Sequence, residues 1–131
     1  IRESGSYLLD TNIVVAFLNG SLDLAPRRRD GALLFVNANV IGELLFGFEK
    51  STRREKNLEA LSQLMTYCVA LPCTATTAPH YARVRHRLTL RGKPIPENDI
   101  WIAASAFEHD LELVTRDSHF EQVDDLRRAA W

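Results

Sequence analysis

Short apolar runs bounded by turn residues alternate with longer stretches of helical periodicity along almost the whole chain, and this alternation leaves few folds open. Residues 7–9, 33–36, 68–71 and 111–115 are too short for helices and too apolar for loops, so they read as buried strands. Between them, apolar positions recur every three or four residues. Asn12 can cap a helix that turns Ile13, Ala16 and Phe17 to one side, with Gly20 as its stop. Asn39 can cap the next, whose inward face is Ile41, Leu44, Leu45 and Phe48. After a charged stretch at 50–56, a third helix points Leu58, Leu61, Leu64 and Met65 inward. A fourth starts near Thr77 with Pro79 in its first turn, runs to about Leu90, and buries Tyr81, Val84 and Leu88. The segment 92–96 breaks it. Asn98 then opens a fifth helix over 99–109 that is apolar on most sides, as buried helices are. Residues 21–31, with Pro26, Arg27, Arg28, Arg29 and Gly31, read as loop, and the tail from His119 as a short turn plus a weak last strand near Leu126. Strands alternating with helices predict an α/β chain: a three-layer α/β/α domain over 7–131 around a central, mainly parallel sheet with right-handed crossovers. Residues 1–6 are polar and read as a flexible start or an appended remnant.

Composition narrows the chemistry. A chain of 131 residues is one domain's worth, able to bury roughly two thirds of its unfolded surface without metal or disulfide support. The formal net charge of -1 supplies no global pull toward nucleic acid, so any such attraction must come from local patches. Two cysteines, Cys68 and Cys73, make no disulfide framework, which points to a cytoplasmic protein. No apolar run is long enough to span a membrane, and no signal peptide is expected.

In this frame four acids converge. Asp10 closes the first strand run, Asp117 follows the run at 111–115, and Glu43 and Asp99 lie near the starts of two apolar helices. In a parallel sheet, strand ends and helix starts share the edge where ligands bind. Each acid has an ordinary reading: cap, first-turn acid or turn residue. Position 40 is Val, however, so Glu43 lacks the Ser or Thr of a capping box, and it sits among Ile41, Leu44 and Leu45. Four carboxylates at one edge repel unless a cation sits among them, and hard divalent ions take oxygen ligands. Such ions, Mg²⁺ or Mn²⁺, serve phosphodiester hydrolysis by activating water and relieving charge on the leaving oxygen.

The words around these acids are Leu8-Leu9-Asp10-Thr11-Asn12, Val40-Ile41-Gly42-Glu43-Leu44-Leu45-Phe46-Gly47, Asn98-Asp99-Ile100-Trp101-Ile102-Ala103-Ala104 and Leu113-Val114-Thr115-Arg116-Asp117 with Phe120. In this order they resemble the PIN-domain ribonucleases and, within them, the VapC toxins of bacterial type II toxin–antitoxin pairs. The resemblance covers essentially residues 7–127. It implies a Mg²⁺-dependent endoribonuclease, with Mn²⁺ as a substitute, whose acidic pocket is Asp10, Glu43, Asp99 and Asp117. It implies that Thr115 supports the pocket, that Asn12 and Asn98 lie beside it, and that the protein forms a homodimer blocked by a cognate VapB-type antitoxin. Two departures are visible. Val40 stands where many members carry Ser or Thr, and Asp124-Asp125 where a turn with Gly is common.

Arginines supply the candidate RNA contacts. Arg83, Arg87 and Arg91 fall with His80 along one helix row in an acid-free stretch, and Arg116 adjoins Asp117. A phosphate-binding surface and a solvated helix face are equally good accounts of that row. Cys68, Cys73, His80 and His86 spell a zinc-like spacing, but Cys68 lies inside an apolar run and reads as a small core residue. Two other functions compete with the nuclease. One is a catalytically silent nucleic-acid- or protein-binding module that keeps the pocket. The other is a phosphatase with an aspartyl nucleophile, which needs a second Asp two residues after the first, where this chain has Asn12.

Overall fold

The computed structural model describes residues 5–131. Of the polar start expected over 1–6, residues 1–4 lie outside the described residues, and Ser6 already belongs to the first strand. Five strands form one sheet: β1 Ser6–Leu9, β2 Leu33–Asn37, β3 Val69–Leu71, β4 Glu112–Val114 and β5 Arg128–Ala129. Their order is β3-β2-β1-β4-β5, and all four pairings are parallel. The chain therefore builds outward from β1 in one direction and then resumes on its other side with β4. Helices α1 Thr11–Leu18, α2 Ala25–Arg29, α3 Ala38–Glu49, α4 Arg54–Leu64, α5 Ala78–Leu90 and α6 Glu97–Glu108 flank the sheet in the expected three layers. Helices α1, α3 and α4 pack on one another, and α5 packs along α6.

Central β1 is covered on both faces, which is why it reads as a continuous apolar run rather than an alternating one. Leu8 and Leu9 are fully buried, as are Val36 on β2 and Leu113 and Val114 on β4. Helix α6 buries Ile100, Ile102, Ala103, Ala104 and Ala106, in agreement with its all-round apolar sequence.

Several local expectations are corrected. Residues 25–29 are helical rather than loop, since Pro26 in the first turn supplies a helical φ where no N–H is needed. The cap of α3 is Asn37, not Asn39: its Oδ1 accepts from Val40 N at 2.9 Å. That start places Val40, Leu44 and Phe48 inward, leaves Ile41 half-buried and exposes Leu45. Asp10, not Asn12, caps α1, and α6 starts at Glu97 after Pro96 with no side-chain cap. The last strand lies just beyond Leu126, which is itself buried. Asp125 adopts φ 65°, the left-handed conformation that explains why a glycine suits this turn.

Candidate active site

The sheet's reversal point lies between β1 and β4, and in an open parallel sheet the ligand crevice lies outside the carboxyl ends of the strands at such a point. Asp10 follows β1 directly, held by its backbone N–H to Val114 O at 3.0 Å. Its carboxylate is only 4% exposed. Oδ1 accepts from Thr11 N at 2.8 Å, and Oδ2 accepts from Thr115 Oγ1 at 2.7 Å and from Asn12 Nδ2 at 3.3 Å. Burial pushes this carboxyl above the usual range against those hydrogen bonds, and the nearby charges of Glu43 and Asp117 push the same way.

Asp99 enters from the first turn of α6, where it is 8% exposed. Burial, then the charges of Asp10 and Asp117, raise its carboxyl to about 6, with His119 pulling in the opposite direction. Asp117 caps the 3₁₀ turn Ser118–Gln122 by accepting from His119 N at 2.9 Å. Fully buried Phe120 anchors that turn to the core. Thr115 ties the two sides together: its hydroxyl donates to Asp10 and accepts from Asp117 N at 3.0 Å.

Glu43 reaches in from the second turn of α3. Thr11 Oγ1 donates to its Oε2 at 2.6 Å, and Asn98 Nδ2 donates to its Oε1. Asn98 is itself oriented by Asn39, whose Nδ2 donates to Asn98 Oδ1 at 2.9 Å. The four acids named from sequence thus face one crevice, and Asn12, Asn98 and Thr115 each hydrogen-bond one of them.

Three participants escaped the sequence reading. Thr11 gave no signal beyond a hydroxyl next to Asp10. Asn37, whose side chain also donates to buried Ser105 at 3.1 Å, is hidden by the rival cap Asn39. His119 is the most informative. Its Nδ1 lies 3.2 Å from Asp99 Oδ2 and 3.1 Å from Asp117 Oδ1. The spacing Asp-x-His was available as a clue, but residue 119 read as the start of a tail.

The arginines are differently placed. Among the described residues, none of Arg83, Arg87, Arg91 and Arg116 pairs with the four acids. Arg91 bridges Asp124 at 2.9 Å and Gln122 O at 2.8 Å, and Arg87 lies 3.8 Å from Asp125. Arg83 donates to His80 Nδ1 at 3.0 Å, while the Arg116 guanidinium donates twice to Trp131 O. Cys68, set aside as a zinc ligand, is buried, and desolvation raises its thiol to about 11.

The model of the PIN domain matches residues 7–126. The chain belongs to the PIN domain family. It is 33% identical over 128 residues to "Ribonuclease VapC2" of Haemophilus influenzae, covering 95% of this chain and 97% of that one. It is 30% identical over 129 residues to the "tRNA(fMet)-specific endonuclease VapC" of Shigella flexneri, with the same coverage of 95% and 97%. Among solved structures, VapBC2 of Rickettsia felis bound to a promoter DNA fragment superposes with a TM-score of 0.87 at 26% identity, covering 96% of this chain and 98% of that one. The three-layer fold expected from the strand–helix alternation is therefore the family's fold.

Proposed function

We propose that this PIN-domain protein is a metal-dependent endoribonuclease that hydrolyses RNA phosphodiester bonds as the toxin of a toxin–antitoxin pair. The observation that carries the reading is the pair of buried carboxylates Asp10 and Asp99 at the sheet's switch point, raised first by burial and then by nearby acids, Glu43 and Asp117 for Asp10 and Asp10 and Asp117 for Asp99. Unbalanced buried charge is costly in a merely structural site and useful in a metal site. Relatives named as ribonucleases over nearly the full chain support the same conclusion.

The donor set fits a hard divalent cation. Asp99, Asp117 and His119 each offer one ligand atom, and these atoms lie within 4.8 Å of one another. In this reading Asp10, Asp99, Asp117 and Glu43 hold Mg²⁺, with Mn²⁺ able to replace it. When bound, the ion lowers the pKa of a water and relieves charge on the leaving oxygen. The protein's own part is positional. Thr115 fixes Asp10 and the Asp117 backbone, while Thr11 and Asn98 clamp both oxygens of Glu43, leaving it little freedom to leave the crevice. Asn12 holds the Arg116 backbone N–H at 3.2 Å. Arg116 and the row Arg83, Arg87 and Arg91 along α5 and its C-cap are the phosphate contacts of this reading, Arg87 and Arg91 exchanging Asp125 and Asp124 for RNA phosphate when substrate binds.

A cognate VapB-type antitoxin and a homodimer complete the proposal. A groove of about 430 Å³ between α1, α3 and α4, floored by Val15, Leu18 and Phe48 and rimmed by Arg53 and Lys56, offers an apolar seat with a cationic edge for an antitoxin segment. Phe46, 66% exposed on α3, gives a further apolar contact. No helix among the described residues is long and apolar enough to cross a membrane, in keeping with action on cytoplasmic RNA. The test is incubation of total cellular RNA with the purified, antitoxin-free protein in Mg²⁺, in EDTA, and with Asp10→Asn. Discrete cuts that need both metal and Asp10 are expected. An absence of cuts by the folded protein would favour the silent binding module.

A further inference from the structure

Four carboxylates hold the ion in the proposed function, yet the side chain that lies between two of them carries nitrogen. His119 Nδ1 is 3.2 Å from Asp99 Oδ2 and 3.1 Å from Asp117 Oδ1. Two donors at right angles around one octahedral ion, each about 2.1 Å from it, lie roughly 3.0 Å apart. Nδ1 is thus spaced from each of the two carboxylate oxygens as neighbouring donors of one coordination shell are, and all three ligand atoms fall within 4.8 Å of one another. We propose that His119 is a metal ligand of this protein, converting an all-oxygen site into a mixed oxygen–nitrogen site that favours first-row transition ions such as Mn²⁺ over Mg²⁺.

Three further observations bear on this. The backbone places the ring: His119 N donates to Asp117 Oδ1 at 2.9 Å, so ligand and neighbour share one rigid turn. Phe120, fully buried, stops that turn from swinging away. The ring itself is about half exposed, with a side-chain exposure of 51%, so it is not locked in by core packing and pays little to adjust toward an ion. Imidazole suits transition ions, whereas Mg²⁺ prefers oxygen and keeps its waters, and so the ring tilts selectivity without closing the site to Mg²⁺. The rival account is that Nδ1 is a hydrogen-bond partner of the two carboxylates and withdraws when an ion arrives.

The inference rests on the metal site proposed above, and the experiment separates the two. Mn²⁺ is bound to the wild-type protein and to His119→Ala, and pulsed electron paramagnetic resonance reads whether a ¹⁴N nucleus couples to the ion. Calorimetric titrations with Mn²⁺ and Mg²⁺ run alongside. The expected result is a ¹⁴N coupling in wild type that is lost in His119→Ala. Mn²⁺ affinity should drop about tenfold, at the lower end of what loss of a metal-site partner costs, with a smaller drop for Mg²⁺. Mn²⁺ bound without ¹⁴N coupling overturns His119 ligation while leaving the carboxylate site standing. Coupling that survives in His119→Ala also overturns it. Failure of both proteins to bind Mn²⁺, with circular dichroism showing them folded, sinks the metal site and this inference together.

Discussion

The crevice beside β1 and the outer face of α5 both collect charge, and they handle it in opposite ways. On the α5 side, Arg87 of the helix and Arg91 just past its end are exposed and lie against Asp125 and Asp124 of the tail, charge against charge in water. At the crevice, Asp10 and Asp99 are buried, and the acids around them repel them: Glu43 and Asp117 for the first, Asp10 and Asp117 for the second. Surface pairs of the first kind contribute about 0–1 kcal/mol each. The second arrangement opposes folding and persists because threonine and asparagine donors hold it in place. Where a small domain keeps like charges together under cover, a positive ligand is the economical explanation, and that contrast separates the acidic site from a charge-balanced surface.

The contrast breaks most visibly in activity. Asp99→Asn should lower RNA cleavage by more than about 100-fold, beyond the cost of losing a mere supporting partner, measured as initial rates on a defined RNA. Loss of the Asn98 clamp comes next. Asn98→Ala frees one oxygen of Glu43 and should cost about 10–100-fold in activity or metal affinity, read by a Mg²⁺ titration of the rate.

Stability should move the other way. The Asp99 carboxyl is raised to about 6 in the folded protein, from an ordinary 3.8. Between those values the folded state holds a proton that the unfolded chain has released. Its contribution is therefore fully present below the ordinary value and is lost as pH rises through about 6. In EDTA at pH 7, Asp99→Asn should be more stable than wild type by up to about 3 kcal/mol, and the gap should close as pH falls toward 4. Urea melts at both pH values check this; a wild type more stable than the variant at pH 7 without metal would remove the argument from unbalanced charge.

The smallest effects belong to the compensated face. Asp125→Gly relieves a left-handed backbone at the cost of a loose 3.8 Å pair with Arg87. Relief of about 1 kcal/mol outweighs an exposed pair worth less, so a slight gain in melting temperature is expected.

Much of this was legible in one chain. Apolar runs at 7–9 and 111–115 sit on central strands because a parallel sheet covered on both faces leaves no polar alternation to read. Asp10 and Asp117 then fall at the crevice by position along the chain alone. What periodicity could not supply was which of two nearby polar residues makes a given bond. Asn37 and Asn39 are equivalent caps in sequence, and only the end point of β2 chose Asn37 and released Asn39 to hold Asn98. Likewise nothing local distinguishes Arg91, bound to Asp124, from an arginine open to RNA.

The alternation of strands and helices and the identity of the four acids were determined by the sequence itself, since both follow from local spacing and residue chemistry. Tertiary structure decided the rest: the switch point between β1 and β4, the clamp on Glu43 from α1 and α6, and the placement of His119 between Asp99 and Asp117. The physical reason is that a carboxylate's environment is built from segments far apart in the chain, as the bond from Thr115 to Asp10 illustrates, and burial and Coulomb repulsion act through space rather than along it.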